Sequence, residues 1–281
     1  MLRQHHCPKC HCGHSKCTRR PARTKGRNLY VREGSNFTAI DVRPQPQRTP
    51  MIILVTLTTI AHIASGAIAV LMGAITLAVR KGARSHVNAG RVFTVCMGLS
   101  SLLGAILGLI KFETFYITFH AGVLGMTLVL SGWLLARSQS GHRKGSFVAL
   151  GCVNFLNTAG LVTAGFCALT LPEQTLRGFA AADYFFLAGM AGIALVNDLV
   201  ILLRKALSDR HRIAQHLWRM CLGFFIAAGS AFTGPGASIF PKVVRDSGLL
   251  SLPEFTIIAL MLFWLVRILF GRRRRPLLTR H

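Results

Sequence analysis

The chain has 281 residues, 52% hydrophobic and 15% charged, with a formal net charge of +24 from 33 Lys/Arg against 9 Asp/Glu. A soluble domain carries about 25% charged residues; here long apolar runs alternate with short basic connections, which excludes the soluble globular class and points to the membrane. The basic excess gathers at the ends of apolar runs and lacks interleaved aromatics. It therefore reads as membrane orientation and contact with anionic headgroups, with no nucleic-acid partner expected.

Residues 1–50 differ from the rest, with 11 Lys/Arg, few large apolar residues, and Pro44, Pro46 and Pro50 near their end. Such a composition cannot bury a core, so a disordered basic extension is expected. Cys7, Cys10, Cys12 and Cys17 crowd there among His5, His6, His11 and His14. Structural zinc sites usually need two knuckles separated by a dozen or more residues, and only Cys7 and Cys10 have knuckle spacing. Adventitious metal binding is the reading, with no designed metal centre. No secretory signal pattern occurs before residue 50. Met51 directly precedes the first apolar run, and the expectation is that native translation starts there. Cys96, Cys152, Cys167 and Cys221 sit in apolar segments without a spacing signal and read as small hydrophobes.

Seven apolar segments follow in order, at about 52–79, 92–111, 115–136, 147–170, 179–203, 216–236 and 249–270. Each is long enough to cross a hydrocarbon core of ~30 Å. The fold class expected is an all-α polytopic transmembrane bundle over 51–270, with a basic tail at 271–281. Connections 80–91, 137–146 and 204–215 and the tail carry clusters of Lys/Arg, whereas 112–114, 171–178 and 237–248 carry few. The positive-inside rule then puts the N-terminus outside and the C-terminus inside. Under that orientation the 11 basic residues of 1–50 would face outward, which is a second argument for Met51. Gly66, Gly73, Gly104, Gly108, Gly122, Gly125, Gly189 and Gly192 are expected to let helices approach closely. Gly234-Pro235-Gly236 is expected to stop the sixth helix.

Ionisable groups within a membrane are costly, so each is a candidate site. His62 lies near mid-depth of the first helix and His120 in the outer half of the third. His86 falls in the first cationic connection, and His216 opens the sixth helix. One reading is two pairs, His62 with His120 and His86 with His216, each holding a b-type haem by bis-histidine ligation. The other is that the inner histidines are interfacial and the outer two hydrogen-bond between helices. Asp198 on the fifth helix and Arg219 on the sixth are expected to form a structural ion pair, and Asn154 and Asn157 a polar stripe. A faint echo relates His62 and the Arg80-Lys81-Gly82 connection to His120 and Arg143-Lys144-Gly145.

Two stretches carry a resemblance: AHIASGAIAVLMGAITLAVRKGARSHVNAGRVF, with Arg80-Lys81-Gly82, His86 and Gly90, and RIAQHLWRMCLGFFIAAGSAFTGPG, with His216, Trp218, Arg219 and Met220. Together with the Trp264–Arg267 ending, they resemble a family of predicted bacterial multi-pass membrane proteins of unknown function. The resemblance covers about 51–270 and implies a polytopic cytoplasmic-membrane protein without an activity to carry over. Three functional readings stand: a non-enzymatic membrane protein of unassigned role, such as an accessory or small-molecule-handling component, a haem-binding electron-transfer protein with a membrane redox or quinone partner, and a small transporter. Hydrolase and P-loop motifs are absent.

Overall fold

In the computed structural model, described over residues 28–33, 36–41, 48–137, 144–204 and 207–271, the chain divides into two units, Met1–Pro50 and Met51–His281. Within the first, β1 (Asn28–Glu33) and β2 (Asn36–Asp41) pair antiparallel, with Asn28 opposite Asp41 and Glu33 opposite Asn36. These two strands fall within the stretch expected to be a disordered extension. NLYVRE and NFTAID concentrate β-branched and aromatic residues that the average composition of 1–50 conceals. The Cys7–Cys17 cluster and the tail from 272 lie outside the described residues.

The second unit is helical: α1 (Arg48–Ala78), α2 (Arg84–Ile110), α3 (Phe112–Arg137), α4 (Lys144–Thr170), α5 (Ala181–Leu203), α6 (Asp209–Ala228), a short α7 (Lys242–Asp246) and α8 (Leu252–Phe270). Seven segments of 22 to 31 residues are long and apolar enough to cross a membrane. At 1.5 Å per residue even the shortest covers about 33 Å. The protein is therefore a multi-pass membrane protein with an all-α bundle.

Two boundaries move from their expected places. α2 begins at Arg84, not near 92, and α6 at Asp209, not near 216. Hydropathy marks only the part of a helix that sits in hydrocarbon, while the backbone continues through the polar interface with its cations in water. His86 and Arg91 are thus helical residues rather than loop residues. α6 ends as expected: a π turn over Gly229–Thr233 leads through Gly234 to a 3-10 turn at Pro235–Ile239.

Close packing is concentrated where α2 and α3 form a hairpin. A Cβ on Gly122 would lie 2.6 Å from the Ser101 carbonyl oxygen, and one on Gly108 2.6 Å from the Phe119 backbone nitrogen. Gly104 instead makes room for the His62 ring, and Gly73 for the face of Phe224. The expectation for Gly189 and Gly192 is corrected, because nothing lies within 4 Å of a Cβ at either position. α5 packs through Tyr184, Ala188, Ala191, Ala194 and Asp198, all buried at helical spacing. Alanine serves there as the small residue. Two apolar clusters result. One joins α3, α4 and α5 around Leu124, Leu128, Leu161 and Tyr184; the other joins α1, α2, α3 and α6 around Ala69, Phe93, Val129 and Phe224.

At the end of the bundle away from the basic connections, β3 (Thr175–Leu176) and β4 (Phe179–Ala180) form a two-residue hairpin turning at Arg177 and Gly178. Both turn residues have positive φ, 53° and 81°, the pattern of a type I′ turn. Arg177 reaches across to the α2–α3 connection, donating to the Phe112 carbonyl at 2.8 Å and lying 3.4 Å from Glu113. Its guanidinium also stacks over Phe112 and Tyr116.

Candidate functional site

The basic end of the bundle holds a cavity of about 910 Å3. Its wall is made by the C-terminal halves of α1, α3 and α8 and the N-terminal halves of α2 and α6, so helix ends of one side of the bundle converge there. Phe93, Leu130, Trp133, Leu217, Phe224 and Trp264 give it an apolar body. Among the described residues its ionisable lining comprises Lys81, Arg91, Arg137, His86, His216 and Cys221, with no carboxylate.

Local structure explains how these groups are held. Gly82 turns the chain after α1 with φ of 80°, folding Lys81 back so that its Nζ donates to the Thr76 and Leu77 carbonyls at 3.0 and 2.6 Å. These are end carbonyls of α1 that no helical N–H reaches, and a cation there also meets the negative end of the helix dipole. The Lys81 ammonium also lies 5.5 Å over the Trp264 ring, and Arg137 4.7 Å over Trp133. Partial burial holds the Lys81 pKa below its ordinary value of 10.5. α2 begins opposite this lysine, at Ala83, without a side-chain cap or an acidic residue in its first turn. Its unsatisfied N–H groups add to the positive potential of that end.

The two histidines of the cavity are fixed in the same manner. His86 Nδ1 is 3.2 Å from the Thr76 carbonyl, and His216 Nδ1 is 2.9 Å from the Gly132 carbonyl. A carbonyl only accepts, so each Nδ1 carries the proton and each neutral ring keeps its free lone pair on Nε2. The expected pair of His86 with His216 is therefore brought to one cavity. The expected pair of His62 with His120 is not. His62 Nδ1 donates to the Ser100 carbonyl at 2.8 Å, turning its ring into the α1–α2 groove. His120 turns to α4, where its Nδ1 donates to Asn157 Oδ1 at 2.8 Å while Asn157 Nδ2 donates to the His120 carbonyl at 3.2 Å. Depth along a helix, which is what the sequence gives, carries no information about which neighbour each ring faces. His142 lies outside the described residues.

The Asp198–Arg219 pair forms as expected, at 2.7 Å, with the two residues 4% and 1% exposed. Arg219 Nη1 also donates to Ser131 Oγ at 2.8 Å. Asn154 Nδ2 donates to the Ala191 carbonyl at 2.9 Å, joining α4 to α5. His120 Nε2, Asn154 Oδ1 and Arg219 Nε remain buried without a hydrogen-bond partner among the described residues. These groups tie helices together, and their charges cancel locally.

Sequence reasoning passed over several contributors. Thr76 and Gly132 act through backbone carbonyls, which no side-chain type announces. In the sequence Arg91 and Arg137 mark only topology. Arg91 lies two turns into α2 and Arg137 closes α3, and a cation at the end of an apolar helix faces either water or a cavity. The basic-end cavity, with its cations, its two oriented histidines and its apolar walls, is the candidate site of a multi-pass membrane protein that matches no known protein family, no curated protein and no solved structure.

Proposed function

We propose that this protein binds an amphipathic anion, a ligand with an apolar body and an acidic end, in the basic-end cavity of a bundle in a bacterial cytoplasmic membrane. The observation that carries the reading is the charge of the lining. Lys81, Arg91 and Arg137 face a shared space with no carboxylate to neutralise them, whereas the cation buried deeper in the bundle, Arg219, has its own partner. Three cations around an apolar chamber, with no carboxylate beside them among the described residues, are electrostatically complementary to an amphipathic anion. The chamber volume falls within the roughly 300–1,000 Å3 of typical ligand pockets.

The positive-inside rule supports a cytoplasmic side for this end of the bundle, with the N-terminus of the helical unit outside and the C-terminus inside. The ligand would be taken from the inner leaflet or the cytoplasm. The resemblance to predicted bacterial membrane proteins agrees with that location and supplies no chemistry. A transport reading has less support, since among the described residues the helix interruption at 229–239 is answered in the other half only by a kink at Phe115, near the start of α3.

The test is equilibrium binding of oleate and of oleyl alcohol to protein in neutral phosphatidylcholine nanodiscs. Oleate is expected to bind at least about tenfold more tightly, a difference of ~1.4 kcal/mol. The preference should vanish in Lys81→Ala/Arg91→Ala. Equal affinity of the wild type for acid and alcohol would contradict the proposal.

A further inference from the structure

We infer that the cavity is a b-type haem site, with His86 and His216 as the two axial ligands. The inference rests on the amphipathic-anion reading and narrows it to one ligand class, a planar macrocycle bearing two carboxylates. Three observations converge on it.

The first is the state of the two rings. A histidine that ligates a metal through Nε2 characteristically gives its Nδ1–H to a carbonyl or carboxylate, which fixes the tautomer and aims the lone pair. His86 and His216 both do so, through Thr76 and Gly132. They come from different helices, α2 and α6, and line the same chamber. The second is the wall. Phe93, Trp133, Phe224 and Trp264 supply flat apolar surface, which suits the faces and edges of a porphyrin. The third is the charge. The propionates of haem need cations at one rim, and Lys81, Arg91 and Arg137 stand on the basic end of the same chamber.

His62 and His120 show what an ordinary membrane histidine looks like in this protein. Each also donates from Nδ1. His120 Nε2, however, is closed off against Gly160 without a partner, and His62 lies against Gly104. Neither lines the cavity. Binding requires no covalent step: each Nε2 lone pair donates to the iron, and the Nδ1 protons stay on the rings.

Detergent-purified wild-type protein is titrated with hemin and then reduced with dithionite. One hemin per chain is expected, with the visible bands of a low-spin, bis-imidazole haem in both oxidation states. His86→Ala and His216→Ala should each lose the low-spin bands, and added imidazole should restore them, a rescue that an unfolded chain would not give. His62→Ala and His120→Ala should keep the bands. Low-spin bands that survive in His86→Ala or His216→Ala would overturn the assignment. So would a wild type that prefers oleate over its alcohol yet gives no low-spin bands, and that result would leave the anion-binding reading standing. A wild type with neither property would end both.

Discussion

Two polar regions of this bundle are built from the same kinds of residue and arranged to opposite effect. In the middle of α3–α6, Asp198, Arg219, Ser131, Asn154, Asn157 and His120 are enclosed, and each side chain has a partner, although His120 Nε2, Asn154 Oδ1 and Arg219 Nε have none among the described residues. At the basic end, Lys81, Arg91, Arg137, His86 and His216 surround open space without a carboxylate. A buried charge in a membrane is tolerable once it is paired, and its energetic role is then to hold helices in register. Charges left uncompensated around a chamber need something to face. The difference separates a structural polar set from a binding set without reference to any homologue.

That contrast can be broken by substitution, because the enclosed set should govern stability and the open set binding. The largest effect is expected at the ion pair. Asp198→Leu or Arg219→Met alone leaves one buried charge unpaired and should lower unfolding free energy by about 3–5 kcal/mol, while the double variant should recover most of that loss. Reversible unfolding in mixed micelles measures it, and a double variant as unstable as the worse single one would refute the pairing account. Next is Gly122→Ala, whose new methyl would meet the Ser101 carbonyl; a loss of about 1–3 kcal/mol is expected from overpacking. Gly189→Ala meets open space and should be neutral or slightly stabilising, by up to about 1 kcal/mol. Asn157→Leu removes the acceptor of His120 Nδ1 and should cost about 1–3 kcal/mol.

The open set should respond differently. Arg91→Ala is expected to stay within about 0.5 kcal/mol of wild type in stability while weakening oleate binding. The smallest effect is a pH dependence. Burial lowers the Lys81 pKa below 10.5, so as pH rises the ammonium is lost first in the folded protein. Between the folded and unfolded pKa the unfolded chain binds more protons, and this group's contribution to stability rises with pH. Anion affinity moves the other way, falling as the charge disappears. Above the range where oleate itself ionises, affinity should begin to fall before pH 10.5 in wild type and stay level in Lys81→Arg, which remains charged. A fall of the same size in Lys81→Arg would remove Lys81 from the site.

Much of this was readable from the chain. Apolar length set the seven crossings, and the buried partner of Arg219 followed from the short connection between α5 and α6. The glycines of α2 and α3 followed from the rule that small residues let helices touch. What was not readable is azimuth. Whether His62 faces His120 or Ser100 depends on how far each helix turns about its axis, and a one-residue phase error rotates a ring by about 100°. For the same reason Gly189 and Gly192 were credited with a contact that Ala188 and Ala191 make. Helix ends were misplaced at Arg84 and Asp209 because cations that continue a helix into the interface look, in a hydropathy profile, like a loop. The chamber itself depends on five helices converging, which no local pattern encodes.

The most direct measurement is native mass spectrometry of the protein as isolated from its membrane. The account predicts an apolar-bodied anion retained by the wild type and by Asp198→Leu/Arg219→Met, and lost from Lys81→Ala/Arg91→Ala/Arg137→Ala. Retention of that ligand by the triple cavity variant would contradict it.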